Sequence, residues 1–279
     1  MAHVALICQN LAQTCTIEGK CKLSLLVISV VPKPNMPNSE LYPKGLVADV
    51  VFSPDLLPFS DLDGKIVVVI DILRASSTIT TALANGAVSI HPVLTPEDAF
   101  RVAAEDPEVL CCGERKGLKV KGFDLGNSPR KFTPELVSGK QIVITTTNGT
   151  RTIKACVSAR TLLVGSFLNL SSIVDFLHKA KASVVFVCAG RMGQFCTEDS
   201  TFAGACLNRM SGWELSDSAR TALLIYKHHQ NDLLTMLKEC DHGRYLEQIG
   251  LTQDLNFCAQ VDYYPIVPRL QQQLISIDS

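Results

Sequence analysis

The sequence predicts an α/β protein of three layers, helix on sheet on helix, around a largely parallel or mixed sheet. Runs such as IVVVI at 66–70 and VVFV at 184–187 are apolar on both faces, as in strands covered by helices on each side. Stretches of helical length separate these runs, so the chain reads strand, turn, helix, repeated. Its 279 residues would suffice for one large domain or two small ones, and the unbroken alternation argues for one α/β domain over 47–279.

Residues 1–46 precede that pattern and read as an extension, expected to be partly disordered or the product of a start codon placed too early. KLSLLVISVV at 22–31 is too short to cross a bilayer, which needs roughly 20 apolar residues. It also lacks the basic start and small-residue cleavage site of a secretory signal. PKPNMPNSELYPKG at 32–45 is proline-rich and polar, a linker by composition. Strands are then expected at 47–52, 65–71 (KIVVVID), 88–93 (VSIHPV), 108–112, 141–146, 161–165 and 183–189 (SVVFVCA). Helices are expected at 76–85, 95–104, 149–157, 169–180, 198–210, 217–229 and 231–239.

Charge is nearly balanced, with 26 Lys and Arg against 27 Asp and Glu. No global field exists to draw in nucleic acid or an anionic membrane, so any anion site must be local. The eleven cysteines are odd in number and many, such as Cys111, Cys188 and Cys206, lie inside apolar runs. Free buried thiols in a reducing, cytoplasmic setting are the expectation. No CxxC pair occurs, and Cys8, Cys15 and Cys21 are too irregularly spaced for zinc.

In open α/β sheets ligands bind beyond the carboxyl ends of the strands. Polar chemistry clusters at those ends here. Asp71, Arg74, Ser76, Ser77 and Thr78 follow the strand IVVVI, and Gly113-Glu114-Arg115-Lys116-Gly117 follow VLCC. A Gly- and Pro-punctuated loop then carries Lys121, Asp124, Asn127, Ser128 and Arg130. QIVI runs into Thr145-Thr146-Thr147-Asn148-Gly149-Thr150-Arg151, and VVFVCA into Gly190-Arg191-Met192-Gly193, with Glu198 and Asp199 at a helix start. Singly, each has a plain structural reading: Asp71, Thr197 and Ser200 as helix caps, Asn148-Gly149 as a turn. Together they name a ligand class. Glycine-containing turns with Thr and Ser hydroxyls and Arg suit a phosphate, and acids beside a phosphate call for a cation between them, for which Mg²⁺ is the fit. Asp71, Glu114, Asp124, Glu198 and Asp199 are the candidate metal ligands.

Common phosphate-handling motifs are absent. There is no GxxxxGK[ST], no GxGxxG after the first strands, no Cys and Arg separated by five residues, and no DxD after a strand, since Ile72 and Leu73 follow Asp71. The blocks VVVIDILRASSTITTALANGA, GERKGLKVKGFDLGNSPRKF, IVITTTNGTRTI, LLVGSFLN, VCAGRMGQFCTEDSTFAGA, CDHGRYLEQIG and DLNFCAQVD, in that order, resemble the 2-phosphosulfolactate phosphatase family over about residues 47–265. The resemblance implies a Mg²⁺-dependent acid phosphatase that converts 2-phospho-3-sulfolactate to 3-sulfolactate, a step toward coenzyme M, on a fold specific to the family. Its motif positions here are Asp71, Arg74, Glu114, Asp124, Asn127, Thr147, Asn148, Thr150, Arg151, Glu198 and Asp199.

Chemistry assigns the roles. Asp71, Glu114, Asp124 and Arg151 are the candidate catalytic residues, and Arg151 with Thr146, Thr147, Asn148, Gly149 and Thr150 is expected to hold the phosphoryl oxygens. Arg74 or Lys121 would take the sulfonate and carboxylate, with Ser76, Asn127 and Ser128 completing the binding set. An activated water is the simplest nucleophile and an aspartyl-phosphate on Asp71 its rival. The expected partner is a small anionic phosphoester, with neither nucleic acid nor membrane, and a homo-oligomer is left open. A phosphatase for another small phosphoester, a phosphate- or nucleotide-binding module, and a partner-binding protein using 217–240 are the alternatives; the number of acids favours an enzyme.

Overall fold

A computed structural model describes residues 45–277; the expectations for the N-terminal extension lie outside these residues except at its last two positions. Among the described residues eleven strands form the sheet: β1 (Leu46–Val51), β2 (Ile66–Ile70), β3 (Ser89–Pro92), β4 (Leu110–Arg115), β5 (Leu118–Lys119), β6 (Gln141–Thr145), β7 (Thr161–Gly165), β8 (Val184–Cys188), β9 (Trp213–Leu215), β10 (Arg269–Gln271) and β11 (Leu274–Ser276). Their spatial order is β5-β4-β6-β3-β11-β10-β7-β2-β8-β1-β9. Helices α1 (Ala75–Ala84), α2 (Pro96–Glu105), α3 (Pro134–Val137), α4 (Gly149–Ala155), α5 (Leu170–Ala180), α6 (Thr197–Arg209), α7 (Asp217–His229), α8 (Leu233–Glu239), α9 (Asp241–Gln248) and α10 (Thr252–Cys258) fill the connections.

The central strand explains the three layers. All five side chains of β2 are buried, but they alternate: Ile66, Val68 and Ile70 pack with residues of α5, α6 and α7, whereas Val67 and Val69 pack with residues of α1 and α4. Each such burial stabilises the fold by about 1.5–3 kcal/mol. Helix starts follow local chemistry. Thr95 Oγ1 accepts from the Asp98 amide ahead of Pro96 in α2, and Ser216 Oγ accepts from the Ala219 amide in α7.

The seven predicted strands and seven predicted helices are all present within about two residues, apart from a longer β4; β5, β9, β10, β11, α3, α9 and α10 are additional. The sheet is mixed in a way the pattern did not reveal. β4, β6 and β3 pair parallel, as do β7, β2, β8, β1 and β9, and the antiparallel hairpin β10–β11 joins the blocks by antiparallel pairing on each side. Three successive antiparallel pairings make the two blocks run in opposite directions. The loops that follow β2 and β6 nevertheless meet. Gly149 after β6 lies against Asp71 after β2, with Asp71 Oδ2 2.6 Å from where a Cβ on Gly149 would sit.

Candidate active site

Asp71 ends β2 and opens the turn into α1. Its Oδ1 accepts from the Ala75 amide at 3.2 Å, and its own amide donates to Ser76 Oγ at 2.7 Å, so it does cap the helix. Capping uses one carboxylate oxygen. The residue also lines a cleft of about 490 Å³, where burial pushes its pKa up to about 6, against the lowering pull of His242 and with Glu114 and Glu198 adding to the rise. Gly149 is obligatory beside it, because a side chain there would strike the Asp71 carboxylate and the Ala75 methyl.

The second wall comes from the β4–β5 turn. Glu114 is buried and bridges two loops: Oε2 accepts from the Gly117 amide at 2.7 Å and Oε1 from the Thr147 amide at 2.8 Å. Lys116 adopts φ 52° and Gly117 φ 72°, which turns Gly117 O back to accept from Arg74 Nη2 at 2.7 Å. Arg74 also donates through Nη1 to Asp254 of α10 at 2.7 Å, a pair in which both side chains are at most 3 % exposed. Ser128 Oγ donates to the other oxygen of Asp254 at 2.6 Å. The cleft-lining guanidinium of Arg74 is thereby fixed.

The third wall joins the loop after β8 to α9. Asn148 Oδ1 accepts from the Met192 amide at 3.1 Å, tying the post-β6 and post-β8 loops together. Arg191 stacks 4.8 Å over the Tyr245 ring, and its guanidinium makes no hydrogen bond or ion pair among the described residues. Tyr245 in turn donates to Lys116 O at 2.9 Å. His242 lies one helical turn before Tyr245 on α9, so both face the cleft. Its Nδ1 stands 3.5 Å from Glu198 Oε1, a carboxylate only 2 % exposed. Burial pushes Glu198 up, but the hydrogen bond and charge of His242 outweigh it and hold the carboxylate below its usual range.

Asp71, Arg74, Glu114, Asn127, Thr147 and Asn148 thus surround one cleft, together with Leu73, Arg115, Lys116, Gly117, Arg191, Met192, His242 and Tyr245. Other expected site residues stand elsewhere. Arg151 is exposed on α4 and pairs with Asp55 at 3.5 Å, outside the cleft lining. Lys121 is exposed and also outside it. Asp124 accepts from the amide of Cys111, three residues before Glu114 on β4 and so roughly 10 Å down that strand. Thr146 and Thr150 are consumed by each other, each hydroxyl accepting the other's amide at 3.1 Å, and Ser76 serves Asp71 as described. Asp199 braces two strand ends: Oδ1 accepts from the Ile72 amide at 2.9 Å and Oδ2 from the Gly190 amide at 3.0 Å. Burial, with Glu198 and Asp71 nearby, raises its pKa well above the carboxylate range. Asp124 thus stands down the strand from the cleft, Asp199 like Glu114 accepts a backbone amide on each oxygen, and Glu198 turns Oε1 to His242.

Arg115, Arg191, His242, Tyr245 and Asp254 were not among the expected site residues. All five lie in blocks that carry the resemblance, Arg115 in GERKG, Arg191 in GRMG, His242 and Tyr245 in CDHGRY and Asp254 in DLNFCAQVD, but nothing in the spacing tells that α9 folds back onto the β4–β5 turn. Gly243 shows why it can: an added Cβ would sit 1.6 Å from Leu237 O, so only glycine lets the start of α9 pack on the end of α8.

Metal fit rests on oxygen donors. Among the described residues no three His, Cys, Asp or Glu side chains come together as a metal-binding group. Mg²⁺ needs less, since one or two carboxylates with substrate phosphate and waters hold it. Asp71 offers a carboxylate oxygen not used in capping, and Asn127 Oδ1 is a buried acceptor without a hydrogen-bond partner on a cleft-lining residue. Those hard oxygens fit the ion. The described free cysteines do not compete as nucleophiles: all are buried, and burial raises thiols such as Cys188 well above their ordinary value.

No helix of the described residues is long and apolar enough to cross a membrane. A family model described as 2-phosphosulpholactate phosphatase matches residues 51–273. The chain is 41 % identical over 220 residues to a probable 2-phosphosulfolactate phosphatase of Caldanaerobacter subterraneus, covering 77 % of this chain and 91 % of that protein. It is 42 % identical over 224 residues to the protein of the same name from Thermotoga maritima, covering 80 % and 95 %. A third, from Clostridium acetobutylicum, is 39 % identical over 226 residues, covering 79 % and 96 %. Matches of this extent, falling on the segment that builds the sheet and the cleft, place the chain in the 2-phosphosulfolactate phosphatase family, a family of phosphoric monoester hydrolases.

Proposed function

We propose that this chain is a Mg²⁺-dependent phosphatase that hydrolyses 2-phospho-3-sulfolactate to 3-sulfolactate and phosphate. One observation carries the reading: a small cleft holds Arg74, Arg115, Lys116 and Arg191 around the buried acid Asp71. A substrate with phosphate, carboxylate and sulfonate on three carbons needs several cations in a small volume, and a simple alkyl phosphate does not. The cytoplasmic setting and the place of the reaction in coenzyme M synthesis are part of the proposal.

Asp71 and Asn127 would hold Mg²⁺, which when bound neutralises phosphoryl charge and acidifies water. Arg74, pinned by Asp254 and Gly117 O, presents a fixed charge that costs no reorganisation when the phosphoryl group moves. Arg115 is held similarly by Thr145 Oγ1 and the Leu94 and Glu114 carbonyls. Arg191, whose guanidinium makes no hydrogen bond or ion pair among the described residues, is assigned to the sulfonate or carboxylate end. Tyr245 supports its plane without taking its donors.

A phosphate-release assay on 2-phosphosulfolactate tests the reading: turnover should vanish with a chelator and return with Mg²⁺. Full turnover in excess chelator by metal-free protein would overturn the Mg²⁺ requirement, and no release under any condition would overturn the substrate. The cations give a second test. Arg191→Ala should raise KM by about 10- to 100-fold, as loss of a charge-assisted pair predicts, while exposed Arg151→Ala should leave kinetics within about twofold. The reverse result would return the phosphate grip to α4.

A further inference from the structure

We infer that His242, oriented by the buried Glu198, is the acid that delivers a proton to the leaving-group oxygen. This rests on the phosphatase reading above and adds a residue to it. Hydrolysis breaks the bond between phosphorus and the ester oxygen and leaves an electron pair on that oxygen. An alkyl alkoxide is a poor leaving group, so a positioned acid is needed at that atom.

The dyad has the geometry for the task. Glu198 lies in the first turn of α6 and His242 in the first turn of α9, so two separate helices hold the pair. Glu198 Oε1 faces Nδ1 at 3.5 Å, and Nε2, on the opposite side of the ring, has no hydrogen-bond partner among the described residues. His242 lines the cleft while Glu198 lies under it at 1 % exposure. His242 is the ion-pair partner of this buried carboxylate among the described residues, and its hydrogen bond and charge hold Glu198 below its usual range. The pair therefore holds the ring with Nδ1 toward Glu198 and leaves Nε2 as the nitrogen available to a substrate in the cleft. Asp71 cannot duplicate this role, since Oδ1 is used in capping and the remaining oxygen is assigned to the metal. In the step, Nε2–H passes its proton to the ester oxygen as 3-sulfolactate departs. The new bond to phosphorus comes from water, whose released proton returns to the imidazole through solvent, so atoms and charge balance.

The test compares two esters on one preparation, which cancels any difference in folded fraction. An alkyl ester, 2-phosphosulfolactate, needs leaving-group protonation, whereas 4-nitrophenyl phosphate leaves as a stabilised phenolate and does not. His242→Gln should lower kcat on the alkyl ester by about 10²- to 10⁴-fold, with a loss on the aryl ester at least about 30-fold smaller. Glu198→Gln should show the same selectivity at lower amplitude, as a positioning residue acting through His242. Equal losses on both esters, or no loss on either, would overturn the inference while leaving the phosphatase reading intact. Wild-type protein inert toward both esters would overturn the phosphatase reading and this inference together.

Discussion

Replacing Asp71 with Asn is expected to cut phosphate release by roughly 10³-fold or more while the protein becomes more stable, not less. The amide keeps the oxygen that accepts from the Ala75 amide, so the α1 cap survives. The charge is what disappears. Burial raises the Asp71 pKa from 3.8 to about 6, so the carboxylate form is the one the fold resists. Between those values the native state holds a proton that the unfolded chain has lost, and stability falls as pH rises through the window. At about 1.4 kcal/mol for each tenfold step, keeping Asp71 ionised at neutral pH costs on the order of 3 kcal/mol. In metal-free buffer at pH 7.5, Asp71→Asn should therefore melt above wild type, and the gap should close as pH is lowered toward 4. An Asn variant with near-normal turnover would reduce Asp71 to a helix cap. One that melts well below wild type would mean that the buried charge is compensated in the native state.

That opposition between function and stability also bears on what a single sequence discloses. The strands of the two parallel blocks were legible because burial on both faces leaves continuous apolar runs, as in IVVVI. β5, β9, β10 and β11 were not, because two- and three-residue strands are too short to carry a period. Two of them form the hairpin that reverses one block against the other, so the sheet's polarity was hidden with them. In the cleft, residue types were readable and partners were not. Thr146 and Thr150 have the chemistry of a phosphate cradle, yet four-residue spacing lets them cap one another. Asp199 has the chemistry of a metal ligand, yet it is spent on two backbone amides that only the fold brings together. Glu198 and His242 are 44 positions apart in number and meet only because Gly243 admits α9 to the end of α8.

Arg74 and Asp254 are the most remote of these partnerships, 180 residues apart, and breaking theirs should have the largest effect on the fold. Asp254→Ala would leave a guanidinium 3 % exposed with only Gly117 O to accept from it, and would strip Ser128 Oγ of its acceptor. An uncompensated buried charge of this kind costs about 3–5 kcal/mol, a large share of the 5–15 kcal/mol that holds a typical domain together. The denaturant midpoint should fall accordingly with its slope unchanged. Asp254→Asn, which keeps shape and one acceptor, should lose less stability but release Arg74 from its fixed position, so kcat should fall even where the variant is fully folded. The double variant Arg74→Met with Asp254→Leu separates the two roles. Replacing both charges by apolar groups of similar volume removes the desolvation penalty, so it should recover most of the stability lost in Asp254→Ala. It should recover none of the activity, because the cleft cation assigned above to the phosphoryl group is gone. If Asp254→Ala instead costs less than about 1 kcal/mol, water reaches Arg74 freely, and the rigid charge that this mechanism assigns to the cleft does not exist.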